Sequence, residues 1–273
     1  MDSKQVFLDH VAQTSPFPLM IEVDKAAGSY IYDKDGKAYL DLISGIAVTN
    51  IGHRHPKVVA AIKDQLDRYM HVMAYGEFIQ APQNKLAQKL SELLPAPLKA
   101  SYFVNSGAEA IEGAMKLAKR VTGRTEFVSC KKSYHGSTHG ALSVSGNEKK
   151  KFRFRPLLPG VRFIAHNRVE DLKHINENTA AVIIELIQGD AGVRIADKTY
   201  AKALQKRCND VGAMLMIDEI QTGFGRTGRW FSFQHYGIVP DIITIAKGFV
   251  VEMPIGAFIT SQENLPSLIN DPI

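Results

Sequence analysis

The stretch Met214-Leu-Met-Ile-Asp-Glu-Ile-Gln-Thr-Gly-Phe-Gly-Arg-Thr-Gly228 decides how this chain folds. Its first part belongs to a short apolar run, residues 213–217, that mixes unbranched and β-branched side chains. Such a run predicts a strand buried on both faces, as in a parallel sheet covered by helices. The run stops abruptly at Asp218 and Glu219 and enters a glycine-rich loop. Open α/β sheets receive ligands beyond the carboxyl ends of their strands. A carboxylate held there is well placed for chemistry.

Outward from this strand the same rhythm recurs. Residues 101–104, 126–130, 161–165, 180–187, 241–246 and 255–260 read as further strands. Residues 108–121 read as a helix, with Ile111, Ala114, Met115 and Ala118 on one face. A second helix runs from an Asp197 cap to about Val211, with Tyr200, Leu204 and Cys208 inward. Strands alternating with helices predict an α/β fold, a doubly wound and largely parallel sheet with helices on both faces. Ahead of it, residues 20–43 predict two strands around an Asp35-Gly36 turn. Pro56 and Pro82 suit the first turns of two helices. Val58, Val59, Ile62, Leu66 and Met70 mark the apolar face of the first, and Leu86, Leu90, Leu93 and Leu94 that of the second. The division read from the sequence is an N-terminal segment, 1–55, belonging to a small lobe, and a large domain, 56–273.

Composition narrows the class. Of 273 residues, 45% are hydrophobic and 22% charged, an ordinary globular balance. The net charge is 33 − 28 = +5, with a pI near 9.0, which is mild and compatible with anionic ligands. The basic run 149–155 carries interleaved aromatics, but one run without a nucleic-acid fold reads as a solvated loop, so no nucleic-acid partner is expected. Cys130 and Cys208 are the only cysteines and have neither disulfide-framework nor metal-ligand spacing. No metal is expected. The N-terminus lacks an apolar leader and no run reaches membrane-spanning length, so a cytoplasmic protein with no membrane partner is expected. Gly223-Phe-Gly-Arg-Thr-Gly228 matches the pattern G-x-G-x-x-G, yet residues 218–222 separate it from its strand and no helix signal follows. A dinucleotide fingerprint needs both, so that reading is rejected.

Four other strand ends carry unusual residues. Asn105-Ser-Gly-Ala-Glu109 places small residues where a strand turns into a helix, either a tight turn or a site for a phosphate on bare N–H groups. Ser133-Tyr-His-Gly-Ser137 offers an aromatic plate and a histidine; taken singly it reads as packing. Glu185 interrupts an apolar strand and needs a partner, from a structural ion pair or from a substrate. Lys247 ends an apolar strand ahead of Gly248, either a lysine reaching solvent or an amine nucleophile. Together with Asp218 these describe a phosphate cradle, an aromatic plate, a carboxylate and an amine. That set meets the needs of pyridoxal 5′-phosphate, which joins an amine through its aldehyde and accepts electrons through a protonated pyridine ring.

The order of these motifs resembles the class III, ω-amino-acid type, pyridoxal-phosphate aminotransferases of fold type I, and within them the acetylornithine/ornithine group. The likeness runs from about Tyr30 to the end. It rests on Phe103-Val-Asn-Ser-Gly-Ala-Glu109, Tyr134-His-Gly136, Glu185 with Gln188-Gly189, Asp218-Glu-Ile-Gln221 with Gly225-Arg-Thr-Gly228, and Pro240-Asp-Ile with Ala246-Lys-Gly248. The resemblance implies that Ser106, Gly107 and Ala108 bind the cofactor phosphate. It implies that Tyr134 stacks on the ring with His135 beside it, that Asp218 partners the pyridine nitrogen, and that Gln221 lies near the ring hydroxyl. Lys247 is implied as the Schiff-base lysine. Glu185 is implied as the glutamate that pairs with a mobile arginine to admit different substrates.

The sequence also departs from the family pattern. The resemblance implies a C-terminal small domain beyond Ile273, with an arginine for the substrate α-carboxylate and a threonine lent to the neighbouring subunit. Val250-Val-Glu252 stands where glycines are usual before Met253-Pro-Ile-Gly256. Ser137 stands in place of an arginine that binds a substrate carboxylate. Leu186 replaces a proline, and Asp190-Ala191 a Glu-Gly pair. The expected function is transamination from an amino acid or ω-amine to a 2-oxo acid such as 2-oxoglutarate, in a homodimer, with Lys247 and Asp218 catalytic. The alternatives are a non-catalytic protein keeping only cofactor binding or assembly, and an aminomutase or decarboxylase built on the same lysine and aspartate.

Overall fold

A computed structural model describes residues 2–73 and 76–266. They fall into two compact units, Met1–Ala74 and Tyr75–Ile273.

The first unit begins with helix α1 (Ser3–His10). Strands β1 (Val23–Ala27), β2 (Tyr30–Asp33) and β3 (Ala38–Leu40) then form an antiparallel three-stranded sheet. The sequence reading has two strands here; the third arises because Gly28 adds a turn between β1 and β2 at φ +57°. The Asp35-Gly36 turn joins β2 to β3, with Gly36 at φ +80° and the Asp33 carboxylate accepting the Asp35 and Lys37 N–H groups. A four-residue turn, α2 (Ser44–Ala47), has left-handed backbone angles at Gly45 and Ile46. His53 closes this turn region onto Asp41, Nε2 to Oδ2 at 2.8 Å. Helix α3 (Pro56–Leu66) starts at its proline as expected but buries none of its residues. It stays with the first unit, where the sequence reading begins the large domain at residue 56.

The second unit contains α4 (Ala81–Leu93), β4 (Ala100–Val104), α5 (Gly107–Thr122), β5 (Glu126–Cys130), α6 (His139–Val144), α7 (Glu148–Lys151), β6 (Val161–Ile164), β7 (Thr179–Ile184), β8 (Ile187–Gln188), β9 (Arg194–Ile195), α8 (Lys198–Val211), β10 (Met214–Asp218), β11 (Ile242–Ile245) and β12 (Gly256–Thr260). Seven strands form one sheet in the order β4-β12-β11-β10-β7-β5-β6. The β6–β5, β5–β7, β7–β10 and β10–β11 pairs are parallel, whereas β12 runs antiparallel to both β11 and β4. The short link from β11 to β12 carries no crossover helix, and a parallel return needs one.

Both faces of this sheet are covered. Leu215 and Ile217 of β10 join Val182, Ile184, Tyr200 and Leu204 in one apolar cluster. Met214 and Met216 join Ala181, Ile183, Ile111 and Met115 in the other. Alternate residues of one strand thus face α8 and α5, which follows from the two-residue period of a strand. One half-buried guanidinium ties the layers at the start of β7: Arg124 Nη1 donates to the carbonyls of Thr179, Val211 and Gly212 at 3.1, 2.9 and 2.9 Å. Asp197 occupies the cap position of α8 as expected, but its side chain makes no capping hydrogen bond.

Candidate active site

The strand period locates the site. On the α5 face, Phe127, Ile183, Met216 and Ile242 are apolar, and the next residue on that face of each strand is Ser129, Glu185, Asp218 or Thr244. Ile184 pairs with Ile217 and Asp218 with Thr244, so Glu185, Asp218 and Thr244 stand at one level near the carboxyl ends of three adjacent strands. All of these polar groups are buried, at 0% exposure for Ser129, 6% for Glu185, 4% for Asp218 and 1% for Thr244. Polar groups at such depth demand partners.

His135 supplies the central one. Its Nδ1–H donates to Asp218 Oδ2 at 2.7 Å, since a carboxylate can only accept, and its Nε2 faces Ser129 Oγ at 3.4 Å. Burial works against a charged imidazole. The hydrogen bond and negative charge of Asp218, with Glu185 beyond, outweigh it and hold the His135 pKa above its ordinary value. The other Asp218 oxygen accepts the Ile220 N–H at 2.9 Å. Glu185 Oε2 accepts the Tyr134 N–H at 3.0 Å, fixing the Tyr134–His135 turn to the end of β7. Burial first, and then the nearby Asp218 charge, push the Glu185 pKa up to about 7 against the pull of His135.

The adjacent acid has a different fate. Glu219 accepts from Ser232 N, Ser232 Oγ, Phe233 N and Thr222 Oγ1, at 3.0, 2.7, 2.9 and 2.5 Å. All its capacity is spent holding the loop after β10, and residues 219–230 form turns with no helix. The rejected dinucleotide pattern therefore lies in a loop pinned from inside. Of the two acids that end the opening run, only Asp218 keeps an orientation toward other ionisable groups.

The β4–α5 turn forms another wall. Ser106 caps α5, its Oγ accepting from Glu109 N at 3.1 Å, while the Glu109 carboxylate reaches back to Asn105 N at 2.6 Å. The Gly107 and Ala108 N–H groups find no acceptor among the described residues, which leaves two donors at the positive end of a 16-residue helix. Three glycines bring the walls together. A Cβ on Gly107 would lie 2.8 Å from Ile220 Cδ1, and one on Gly256 would lie 2.4 Å from Ser106 O. Gly136, at φ +137°, would put a Cβ 2.9 Å from the methyls of Ala108 and Ala141.

Tyr134 is half-buried, with its hydroxyl 3.2 Å from Ser137 Oγ. Gln221 is also half-buried and packs so closely on Gly189 that a Cβ there would meet its Oε1 at 2.0 Å. Lys247 follows β11 with φ +49°, a left-handed conformation that side chains rarely adopt. Its ammonium has no hydrogen-bond partner among the described residues. Such strain clusters at functional positions. The loop after it repeats the feature: Val251 and Glu252 have φ of +39° and +75°, so two non-glycine residues follow a path that suits glycine.

Sequence reasoning did not find Ser129 or Thr244. Ser129 sits inside an apolar strand one residue before its end, and Thr244 Oγ1 is buried with no partner among the described residues. The strand period puts them on the Asp218 face once the pairing register is known. The cysteines are buried and free, and burial drives the Cys130 thiol up to about 12. The basic run is exposed except at Lys151. Lys151 is buried over the Phe163 ring at 4.0 Å, and Arg155 pairs with Glu148 at 2.6 Å. Among the described residues, no group of acidic, histidine and cysteine side chains could hold a metal, and no helix is long and apolar enough to cross a membrane.

Comparison with known proteins bears on this arrangement. A family model described as aminotransferase class-III matches residues 11–269. The acetylornithine aminotransferase of Archaeoglobus fulgidus is 46% identical over 255 residues, which cover 93% of this chain and 67% of that protein. That of Bacillus subtilis is 43% identical over 245 residues, covering 89% of this chain and 63% of the relative. The ornithine aminotransferase of Toxoplasma gondii, whose crystal structure has partial occupancy of PLP at its active site, matches with a TM-score of 0.90 at 28% identity, over 98% of this chain and 65% of that one. This chain thus spans about two thirds of the length of the proteins it matches.

Proposed function

The chain belongs to the class-III aminotransferases, fold type I enzymes that use pyridoxal phosphate, and from that premise we propose that it moves an amino group from an acetylornithine- or ornithine-like donor to a 2-oxo acid such as 2-oxoglutarate. The observation that carries this reading is the buried Asp218–His135 pair at 2.7 Å. A carboxylate kept beside a proton-holding imidazole is suited to fixing a proton on a pyridine nitrogen.

The residues present fit the cofactor. The two unpaired N–H groups of Gly107 and Ala108, with the Ser106 cap, suit its phosphate. Tyr134 offers an aromatic face, and Gln221 an amide for a ring hydroxyl. When bound, the cofactor supplies an electron sink for the carbanion left by loss of an α-proton. The chain's own side chains do the rest. His135 holds Asp218 in one orientation through Nδ1. Glu185 fixes the Tyr134 backbone. Lys247 would hold the cofactor at its aldehyde, and its amine is suited to carry the substrate's α-proton away and back. Glu185 is also proposed as a contact for a mobile arginine. The domain division, a homodimer and a cytoplasmic setting belong to the same reading.

A binding-only protein is the second reading, favoured by the left-handed Val251 and Glu252 beside Lys247. One experiment separates the two. Pyridoxal phosphate is added to the purified chain and the visible spectrum recorded before and after N-acetylornithine. The enzyme reading expects a lysine-bound absorbance band that the donor bleaches and that Lys247→Ala lacks. A band the donor leaves unchanged favours the binding-only reading. No band overturns cofactor binding by this chain.

A further inference from the structure

The sequence carries Ser137 where a cation for a substrate carboxylate is expected, and a hydroxyl is a weak substitute for one. In the structure Ser137 is exposed and its Oγ is engaged with the Tyr134 hydroxyl at 3.2 Å. A cation nevertheless stands beside the same tyrosine. Lys150, on α7, holds its Nζ 4.7 Å from the centre of the Tyr134 ring. The same Nζ meets Asp190 Oδ1 at 2.7 Å. Asp190 follows Gly189, the residue on which Gln221 packs. The ammonium therefore bridges two walls of the candidate site, the Tyr134 turn and the loop after β8.

Its neighbours in the basic run point elsewhere. Lys151 is turned inward to the Ser143 and Ser145 carbonyls, and Arg155 is taken by Glu148. Lys150 and Asp190 keep 43% and 33% of their side chains exposed. An ion pair this exposed contributes little and exchanges readily with a competing anion. The lysine stem is long and flexible, so its head can follow such an anion without moving the backbone.

We propose that Lys150 receives a carboxylate of the substrate at the mouth of the site, leaving Asp190 to do so, and thereby sets a preference for carboxylate-bearing donors and acceptors over plain amines. The inference rests on the aminotransferase reading, because that reading makes Tyr134 part of the site. Lys150 is a specificity residue here and takes no part in proton transfer.

Calorimetric titration with glutarate tests it, on the full chain with and without pyridoxal phosphate. Lys150→Met weakens glutarate binding by about five-fold, the size expected for one exposed charge contact. Lys150→Arg keeps the affinity within about two-fold, because a guanidinium also pairs with a carboxylate. Asp190→Asn tightens it about two- to three-fold by removing the competitor. The neutral analogue glutaramide responds to none of these changes. Glutarate binding equal in wild type and Lys150→Met, or no binding by the wild type, overturns the assignment. So does an equal loss for glutaramide, which would mark a general distortion. Failure of the aminotransferase reading shows separately, as absence of the cofactor's visible band; the titration without cofactor then still decides the role of Lys150.

Discussion

Replacing Glu185 by glutamine should make the stability of this protein nearly independent of a proton that the wild type must release. Burial holds the Glu185 pKa at about 7, against 4.5 for an exposed glutamate. The folded state therefore binds this proton more tightly than the unfolded state. Its contribution to stability is fully present below pH 4.5 and is lost as pH rises through about 7. A shift from 4.5 to about 7 corresponds to about 3 kcal/mol at 1.36 kcal/mol per unit. Glutamine carries no such penalty. Its one carbonyl oxygen can still accept the Tyr134 N–H now held at 3.0 Å. The second carboxylate oxygen is lost, which costs about 1 kcal/mol as one hydrogen bond. The variant should be about 1 kcal/mol less stable than wild type near pH 4.5 and about 2 kcal/mol more stable at pH 8, so that the two curves cross. Loss of the Glu185 charge also weakens the upward push on His135, whose own stabilisation is lost as pH rises, and this flattens the variant's curve further. Urea unfolding followed by circular dichroism at half-unit pH steps measures both curves. Parallel curves with a constant offset would refute the reasoning, because they would mean that Glu185 titrates alike in the folded and unfolded chain.

Other changes have equally direct readouts. Gly136→Ala must place a methyl 2.9 Å from two others at φ +137° and should cost about 2–4 kcal/mol in thermal unfolding; a loss under about 1 kcal/mol would mean that the Tyr134 turn is free to shift. Val251→Gly with Glu252→Gly should raise stability by about 1 kcal/mol, relief of left-handed strain exceeding the entropy that glycine adds to the unfolded chain; a destabilised pair would show that these side chains are held by contacts instead. Asp218→Asn should keep the fold, drop the His135 pKa below the ordinary histidine value in an NMR titration because burial is then opposed by the more distant Glu185 charge alone, and abolish transamination. Near-normal turnover in that variant would reassign Asp218.

Much of this arrangement was legible in the sequence, because apolar runs that end on a charged residue mark strand ends in a covered parallel sheet. Asp218 and Lys247 were read that way, and the strands carrying them formed where expected. Glu219 shows the limit. Sequence puts two acids side by side, and only the fold reveals that Ser232, Phe233 and Thr222 consume one of them. Ser129 and Thr244 are small polar residues within apolar runs, invisible until strand register sets them on the Asp218 face. The direction of β12 was not read, since a run of apolar residues has no polarity; the missing crossover helix before it was the available sign. Lys150 looked like one of several solvated lysines, and its pairing with Tyr134 and Asp190 depends on contacts 16 and 40 residues away in sequence.

The place of β12 has a consequence for how the chain assembles. Strand β4, which leads into the Asn105–Ala108 turn, lies at the sheet edge with β12 as its one neighbour. Ala100 pairs with Thr260, and Val104 with Gly256. During synthesis the remaining strands can pair among themselves as they emerge, but the helix end suited to phosphate has no place in the sheet until Gly256–Thr260 has been made. Strand β12 works as a clasp: it secures β4 and, through the contact of Gly256 with Ser106, sets the turn that β4 carries. Competence for an anionic ligand should therefore arise only once β12 has paired with β4, and ligand present during folding should favour the clasped state over any open intermediate.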